Sequence, residues 1–169
     1  MASVIENNKN KPVKIRSTNG VLVNGVVDVN VRFSRCCSPV PGDEIVGFIT
    51  RGRGISIHRT DCVNVIALPE SEKSRLVDVE WQQESFHSNE KFMAEIKIFC
   101  NNRIGIFADI SKIFTEREID IASMSSKTSK QGTATINMSF EVGGVDALQQ
   151  LINRLMAVNS VIDIERSNG

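Results

Sequence analysis

The sequence predicts an α+β protein made of two small modules. In the front half, short runs alternate apolar and polar residues, the period of a half-buried strand, and turn residues separate the runs. In the back half, strand-like runs are interleaved with two stripes of apolar residues at helical spacing. A chain of 169 residues with 41% hydrophobic residues has room for two small cores.

The first module is predicted to be a small antiparallel β-rich unit over residues 21–81. Residues 1–20 are polar and aperiodic, and we expect a flexible linker there. Asp61 is expected to cap a short helix that ends near Ala67. The predicted strands cover residues 21–23, 27–33, 45–50, 55–58 and 76–81.

The second module is predicted over residues 91–169, after a solvated joint at 82–90. Its elements follow the order β-α-β-β-α-β, which is the ferredoxin-like arrangement. Such a sheet is covered by helices on one face, so its other face and its edges meet solvent or a partner. The predicted strands cover residues 92–100, 119–127, 133–142 and 161–165, and the helical stripes cover 104–114 and 145–155.

Charge and hydropathy indicate a cytoplasmic protein with no membrane segment. No apolar run approaches the roughly 18 residues that cross a bilayer, and the first 20 residues lack the apolar core of a signal peptide. The net charge is zero, but residues 1–69 carry nine basic and five acidic side chains, whereas residues 70–90 carry two and six. This asymmetry suggests modules with different partners.

Three cysteines and one histidine of the first module could bind a metal ion. Cys36, Cys37, His58 and Cys62 would form a closed four-ligand zinc site if the chain turns at the adjacent cysteines. Two other interpretations stay open. The thiols could be reduced and buried beside a structural histidine, or a cysteine and His58 could form a catalytic pair, although no cleft or oxyanion donors are indicated.

Five arginines cluster in the sequence of the first module. The guanidinium group suits phosphate, and the glycines of the 51–54 turn let a backbone approach it closely. Structured RNA, read through its phosphates and 2′-hydroxyls, is one candidate partner, and a solvated hairpin turn is the alternative. The residues are Arg32, Arg35, Arg51, Arg53 and Arg59.

In the second module, the turn between the first strand and the first helix could bind a small anion. Asn102 is suited to the cap position, and free amides at a helix start attract a carboxylate such as that of an amino acid. Gly105 leaves space for a ligand, although a simple capped helix explains the pattern equally well. No Walker loop, H-E-x-x-H motif or paired carboxylate site appears, so we expect no catalytic centre.

The run V-R-F-S-R-C-C-S-P-V-P-G-D-E-I-V-G-F-I-T-R-G-R-G-I-S-I-H-R-T-D-C, from Val31 to Cys62, closely resembles the zinc-finger-like, or ribosome-intersubunit, domain of long RelA/SpoT-type (p)ppGpp synthetase/hydrolases. Residues 76–81 and the βαββαβ module resemble the ACT domain that ends those proteins. The resemblance covers about residues 20–166. It implies a regulatory C-terminal fragment of the stringent response, whose parent would be a GTP diphosphokinase and 3′-diphosphatase.

The resemblance also implies partners. The first module would lie against ribosomal RNA, and the family name supports zinc. ACT domains typically pair as homodimers and bind amino acids, here branched-chain ones, and the alternative is a free-standing dimeric amino-acid-binding ACT protein. Many ACT domains have Asp where this chain has Asn102, which removes a charge that would pair with an amino group. The implied ligand residues are Asn102, Gly105, Ile106, Met124 and Ser125.

Overall fold

The computed structural model describes residues 15–16, 20–23, 30–52, 54–82 and 89–167. Within these ranges, no helix is long and apolar enough to cross a bilayer. The strands are β1 (Ile15–Arg16), β2 (Val21–Val23), β3 (Val31–Phe33), β4 (Ile45–Ile49), β5 (Ile55–Arg59), β6 (Leu76–Val77), β7 (Val79–Trp81), β8 (Phe92–Asn101), β9 (Ile121–Thr128), β10 (Thr133–Val142) and β11 (Val161–Arg166). The helices are α1 (Val63–Ile66), α2 (Glu70–Lys73), α3 (Ile106–Glu116) and α4 (Val145–Met156).

The first module contains two small sheets rather than one. Their strand orders are β1-β2-β7 and β3-β5-β4-β6, and all pairs are antiparallel except β3 with β5. The run 76–81, predicted as one strand, divides at Asp78: β6 pairs with β4, and β7 pairs with β2. The same run therefore links both sheets, and the core between them contains Val21, Val23, Val31, Ile55 and Ile57.

Three local predictions in the first module differ from the structure. The helix at 63–66 has Cys62 at its N-cap, because the Asp61 carboxylate instead accepts two hydrogen bonds from Arg59. The short helix α2 carries no apolar stripe and was not predicted. Part of the predicted linker, β1, pairs with β2. Residues 1–14, 17–19, 24–29 and 83–88 of the predicted linker, strand and joint lie outside the described residues.

The ferredoxin-like fold of the second module is confirmed. Its sheet has the order β11-β8-β10-β9, and both α3 and α4 contribute to one core with the inward-facing strand residues. The alternation of apolar and polar residues in the sequence determines which side of each strand faces the core. In β8, for example, buried and less buried residues alternate along the whole strand. In α3, Ile110, Ile113 and Phe114 of the predicted stripe are buried. The helix begins two residues later than predicted, so Ile106 is buried and Ile104, at the start of the predicted stripe, is fully exposed.

The start of α3 and the strand β9 depart from the predictions. Gly105, with a φ of 83°, occupies the N-cap, whereas the Asn102 amide donates to the Gly132 carbonyl. Strand β9 lies at the edge of the sheet, beyond the cover of the helices, and residues 122–128 are all exposed.

The two modules share an apolar junction. Phe33 stacks on Trp81 with 5.5 Å between ring centroids, and both rings meet Phe92 edge-on at 5.7 and 5.6 Å. Val40 of the first module is fully buried within the core of the second. The chain therefore folds as two modules in direct contact, which the two-module prediction did not anticipate.

Candidate metal centre and basic surface

The structure brings the four predicted metal ligands together. The ligand atoms of Cys36, Cys37, His58 and Cys62 all lie within 4.8 Å of one another. The Cys36 Sγ lies 4.0 Å from the Cys37 Sγ, 3.5 Å from the Cys62 Sγ and 3.4 Å from the His58 Nδ1. The Cys37 Sγ lies 3.8 Å from the same nitrogen.

The four individual distances, 3.4 to 4.0 Å, are close to those of a tetrahedral zinc site. With Zn–S bonds of about 2.3 Å and Zn–N bonds of about 2.0 Å, ligand atoms at the corners of a tetrahedron are roughly 3.5 to 3.8 Å apart. Three thiols and one imidazole are also a donor set typical of closed structural zinc sites. All four cysteines of the chain are free thiols, and those of the cluster are buried or half-buried.

Three short segments position the ligands. His58 lies on β5, whereas Cys62 directly precedes α1. Cys36 and Cys37 lie in a turn after β3 that the Ser38 amide closes by donating to the Ser34 carbonyl at 3.0 Å. Because the backbone turns there, the two adjacent thiols reach the same point, which an extended chain would prevent.

Hydrogen bonds and burial set the protonation of the cluster. Burial raises the pKa of the Cys37 thiol to about 12, although the Arg59 amide donates to its sulfur at 3.3 Å. Burial also lowers the pKa of His58, which favours the neutral ring that binds metals. At Cys36, burial opposes ionisation, but hydrogen bonds led by that of Ser34 outweigh it and lower the thiol pKa. A cation among these sulfurs would stabilise the thiolates.

Ser56 orients the histidine, and sequence reasoning missed it. Its Oγ lies 3.1 Å from the His58 Nε2, so a proton on Nε2 leaves the Nδ1 lone pair facing the thiols. We expect Ser56→Ala to weaken zinc binding by about tenfold, because outer hydrogen bonds fix the ring and its tautomer. Competition with a chromophoric chelator measures this. Ser56→Thr, which keeps the hydroxyl, should bind zinc like the unaltered chain, and equal loss in both variants would contradict this role.

The predicted arginines do not form one uniform surface. Arg32, Arg35 and Arg51 are exposed; the Arg51 side chain is 84% exposed, and its Nη2 lies 3.9 Å from a Glu72 carboxylate oxygen. Arg59 does not lie on the predicted surface, which corrects the prediction. Its side chain is 6% exposed and paired with Asp61, because strand alternation puts it on the buried face with Ile55 and Ile57. Arg53 lies outside the described residues.

Arg32 lies on the same sheet face as the metal cluster. It is paired in register with Ser56, two residues from His58, and side chains two apart share a face. Arg35 immediately precedes Cys36 in the chain. Arg32 and Arg35 are therefore close to the cluster, one on its sheet face and one next to it in the chain.

The residues predicted to bind an amino acid lie in two separate places of one chain. Asn102 and Gly105 are exposed in the loop before α3. Ile106 is fully buried in the core, so the prediction that its side chain contacts a ligand is corrected. Met124 and Ser125 are exposed on β9. Met124 lies opposite Met138, five residues along β10 from the Thr133–Asn101 pair. At about 3.4 Å per residue, roughly 17 Å separates the two groups along the strands.

Comparison with known proteins assigns both modules. A family model of the RelA/SpoT RIS domain matches residues 21–82, and one of the ACT domain matches residues 88–166. GTP pyrophosphokinases from Streptomyces coelicolor and Escherichia coli K12 are each 37% identical, over 87% and 88% of this chain. The matches cover 17% and 20% of those relatives, so the chain spans about a fifth of their length.

A solved structure resembles the second module. The solution structure of the ACT domain from GTP pyrophosphokinase of Chlorobium tepidum has 25% sequence identity and a TM-score of 0.42. It covers 47% of this chain and 89% of that chain.

An RIS domain followed by an ACT domain is a regulatory pair. The chain belongs to the RelA/SpoT family and corresponds to the C-terminal regulatory part of its long members. From here we call the two modules the RIS domain and the ACT domain.

Proposed function

We propose that this chain senses the ribosome and controls the catalytic domains of a (p)ppGpp synthetase/hydrolase, and that it does so by binding ribosomal RNA through the RIS domain. The observation that carries the proposal is the set of exposed arginines Arg32, Arg35 and Arg51 on an RIS domain. Arginine pairs with phosphate through a planar fork of donors, and shape-directed RNA recognition relies on such contacts. Arg59 does not belong to this surface, because its side chain is buried and bonded to Asp61, whereas Arg51 stays exposed although Glu72 lies 3.9 Å away.

Removal of the exposed arginines tests the proposal. We expect the triple variant Arg32→Ala, Arg35→Ala, Arg51→Ala to bind ribosomes at least about tenfold more weakly and to show a shallower salt dependence, since each lost phosphate contact lowers the slope by about one. Filter binding of the whole chain at stepped salt concentrations measures both quantities.

The matched control removes three exposed cations from the ACT domain: Lys112, Lys130 and Arg154. It changes the net charge equally and should bind ribosomes nearly as tightly as the unaltered chain. If both triple variants lose affinity to the same extent, general charge rather than the RIS surface explains the binding, and the proposed RNA interface is wrong.

Zinc, in this proposal, is a structural ion of the RIS domain. Among the residues of the domain that the structure describes, the buried core consists of Val21, Val23, Val31, Ile55 and Ile57, and a small core gains stability from a bound metal. A closed site of three thiolates and one imidazole would tie the turn after β3 to β5 and to the start of α1. It would thereby hold Arg35 and Arg32 in place beside the cluster. The ion's role here is positional, since a closed site has no open coordination position.

A second function, amino-acid binding by a dimeric ACT domain, is favoured by strand β9. This edge strand of eight residues carries small and polar side chains, exposed on both faces from Ala122 to Thr128. An uncovered edge offers free backbone donors and acceptors to another strand. Antiparallel pairing of two copies along β9 would join two four-stranded sheets. A ligand bound between copies would then contact Met124 and Ser125 of one chain and the 102–105 loop of the other.

A charge placed on β9 tests this pairing. Met124 is 46% exposed on β9, and Ile162 is 54% exposed on the opposite edge strand, β11. We expect Met124→Lys to shift the chain from dimer to monomer in sedimentation and to remove the calorimetric heat of valine or isoleucine binding, because like charges repel across a paired edge. Ile162→Lys should leave both unchanged. A chain that is monomeric before mutation and gives no heat would refute the pairing and the ligand site.

A further inference from the structure

The segment after Cys37 leaves the RIS domain and enters the core of the ACT domain. We call residues 38–43, with the sequence Ser-Pro-Val-Pro-Gly-Asp, the strap. Val40 at its centre is 0% exposed, and it packs in the same core as the inward-facing residues of β8, β10, α3 and α4. One side chain of the RIS domain thus completes the packing of its neighbour.

The strap is bonded to the start of α4. The Val145 amide, at the first position of that helix, donates to the Pro41 carbonyl at 2.8 Å. Amides in a first helical turn have no partner within the helix, so this carbonyl acts as a cap. The contact is close: a Cβ added at Gly42 would lie 2.5 Å from the Val145 Cγ1, and one at Gly144 would lie 2.9 Å from the Pro41 oxygen.

The strap is also fixed to the end of β11 by an ion pair. The Arg166 Nη1 and Nη2 donate to the two Asp43 carboxylate oxygens at 2.7 and 2.8 Å, and the Nη2 also donates to the Ser38 carbonyl at 3.1 Å. The side chains of Arg166 and Asp43 are 19% and 9% exposed. Asp43 also accepts the Val40 amide at 2.9 Å, so it folds the strap and anchors it. Such bidentate pairs are geometrically demanding.

The other end of the strap is fixed by the metal cluster. Ser38 begins the strap with a φ of 45°, and its amide closes the turn that holds both adjacent thiols. Cys37 is 1% exposed. Only three residues, at most about 10 Å of chain, lead from Cys37 to Val40, so a rearrangement of the cysteine turn has a short path to the strap. The cluster thus adjoins the first residue of the strap, while the ACT domain holds its centre through Val40 and its last residue through Arg166.

We propose that metal occupancy of the Cys36–Cys37–His58–Cys62 cluster is thermodynamically coupled to docking of the strap on the ACT domain, so that the metal controls how rigidly the two domains are joined. This inference rests on the proposed zinc site. Coupling of this kind is reciprocal: if zinc strengthens docking, then intact docking strengthens zinc binding by the same factor.

Zinc titration of the whole chain tests the coupling from both sides. Arg166→Met removes the anchor, which bonds Asp43 and the Ser38 carbonyl, and we expect about tenfold weaker zinc binding in chelator competition, within the usual range of coupling between sites. Arg154→Met, which removes a side chain that is 57% exposed, should bind zinc like the unaltered chain. Conversely, removal of zinc should speed hydrogen exchange of the Val145 amide by about tenfold and leave the Ile98 amide of central strand β8 unaffected.

Each outcome decides the matter. Equal zinc affinity in the unaltered chain and Arg166→Met, with Val145 exchange that does not respond to zinc, overturns the coupling and leaves the zinc site standing. A chain that binds no zinc overturns both. If Arg166→Met fails to fold, Asp43→Asn, which keeps the shape and an acceptor, takes its place and should weaken zinc binding in the same direction.

Discussion

Cys37→Ala is expected to weaken zinc binding more than about a hundredfold. The Cys37 sulfur lies 3.8 Å from the His58 Nδ1 and is one of the four proposed ligands, so its loss would open the site. Structural zinc sites bind with roughly 10 to 16 kcal/mol, so one ligand of four accounts for about 3 kcal/mol, or more than a hundredfold in affinity. Elemental analysis of the purified chain, followed by chelator competition, measures the loss.

Cys100→Ala is the matched control. Cys100 is equally buried but lies in the ACT core, away from the cluster, so its variant should retain one zinc per chain. Zinc affinity of the unaltered chain should also rise with pH near neutrality, because burial raises the pKa of Cys37 to about 12 and binding must release that proton. Equal zinc content in both variants would show that the cluster is not the site.

Gly54→Ala is expected to destabilise the RIS domain by about 3 kcal/mol, from backbone strain and a steric clash together. Gly54 has a φ of 80°, and a Cβ there would lie 2.1 Å from the Asn30 carbonyl oxygen. That oxygen accepts the Ile55 amide at 2.7 Å, so the backbone cannot withdraw without breaking the start of the β3–β5 pairing. The midpoint of urea unfolding, followed by circular dichroism, reports the change.

Gly52→Ala separates strain from the clash. Gly52 has nearly the same φ, 79°, but nothing lies within 4 Å of an added Cβ. We expect it to cost only about 1 kcal/mol, the strain of a left-handed non-glycine residue. Equal destabilisation by the two substitutions would mean that the Asn30 contact is not rigid.

The ACT domain was predictable because its signals are local. Alternation along β8 and β10 and the stripe of α4 indicate both the element and its buried face. The stripe of α3 indicates the helix, but it includes the exposed Ile104 and misses the buried Ile106. The division of residues 76–81 between two sheets was not predictable, since an alternating run reveals which side is buried but not which strands it will pair with. Val40 was missed for a related reason: a valine between prolines has no periodicity, and only tertiary packing buries it.

At the candidate site, the ligand set could be predicted, but its surroundings could not. Cysteine and histidine are recognisable in a sequence as possible metal ligands. Serine is not, and Ser56 matters only because its hydroxyl lies within hydrogen-bond distance of the His58 Nε2. The alternation of side chains along β5 could have indicated Ser56, since residues two apart in a strand share a face with each other. The same period would have placed Arg59 with Ile55 and Ile57 on the buried side, where an ion pair with Asp61 compensates its charge.

Burial of Val40 in the ACT core has a consequence for synthesis of the chain. Its contact partners on α4 follow roughly a hundred residues later, and ribosomes add about 5 to 20 residues per second. The strap therefore leaves the ribosome about 5 to 20 seconds before its binding partner exists. Until then, the RIS domain must persist with an uncovered valine and an unpaired Asp43. The N-terminal RIS domain thus reaches its final packing only after the C-terminal ACT domain has been synthesised.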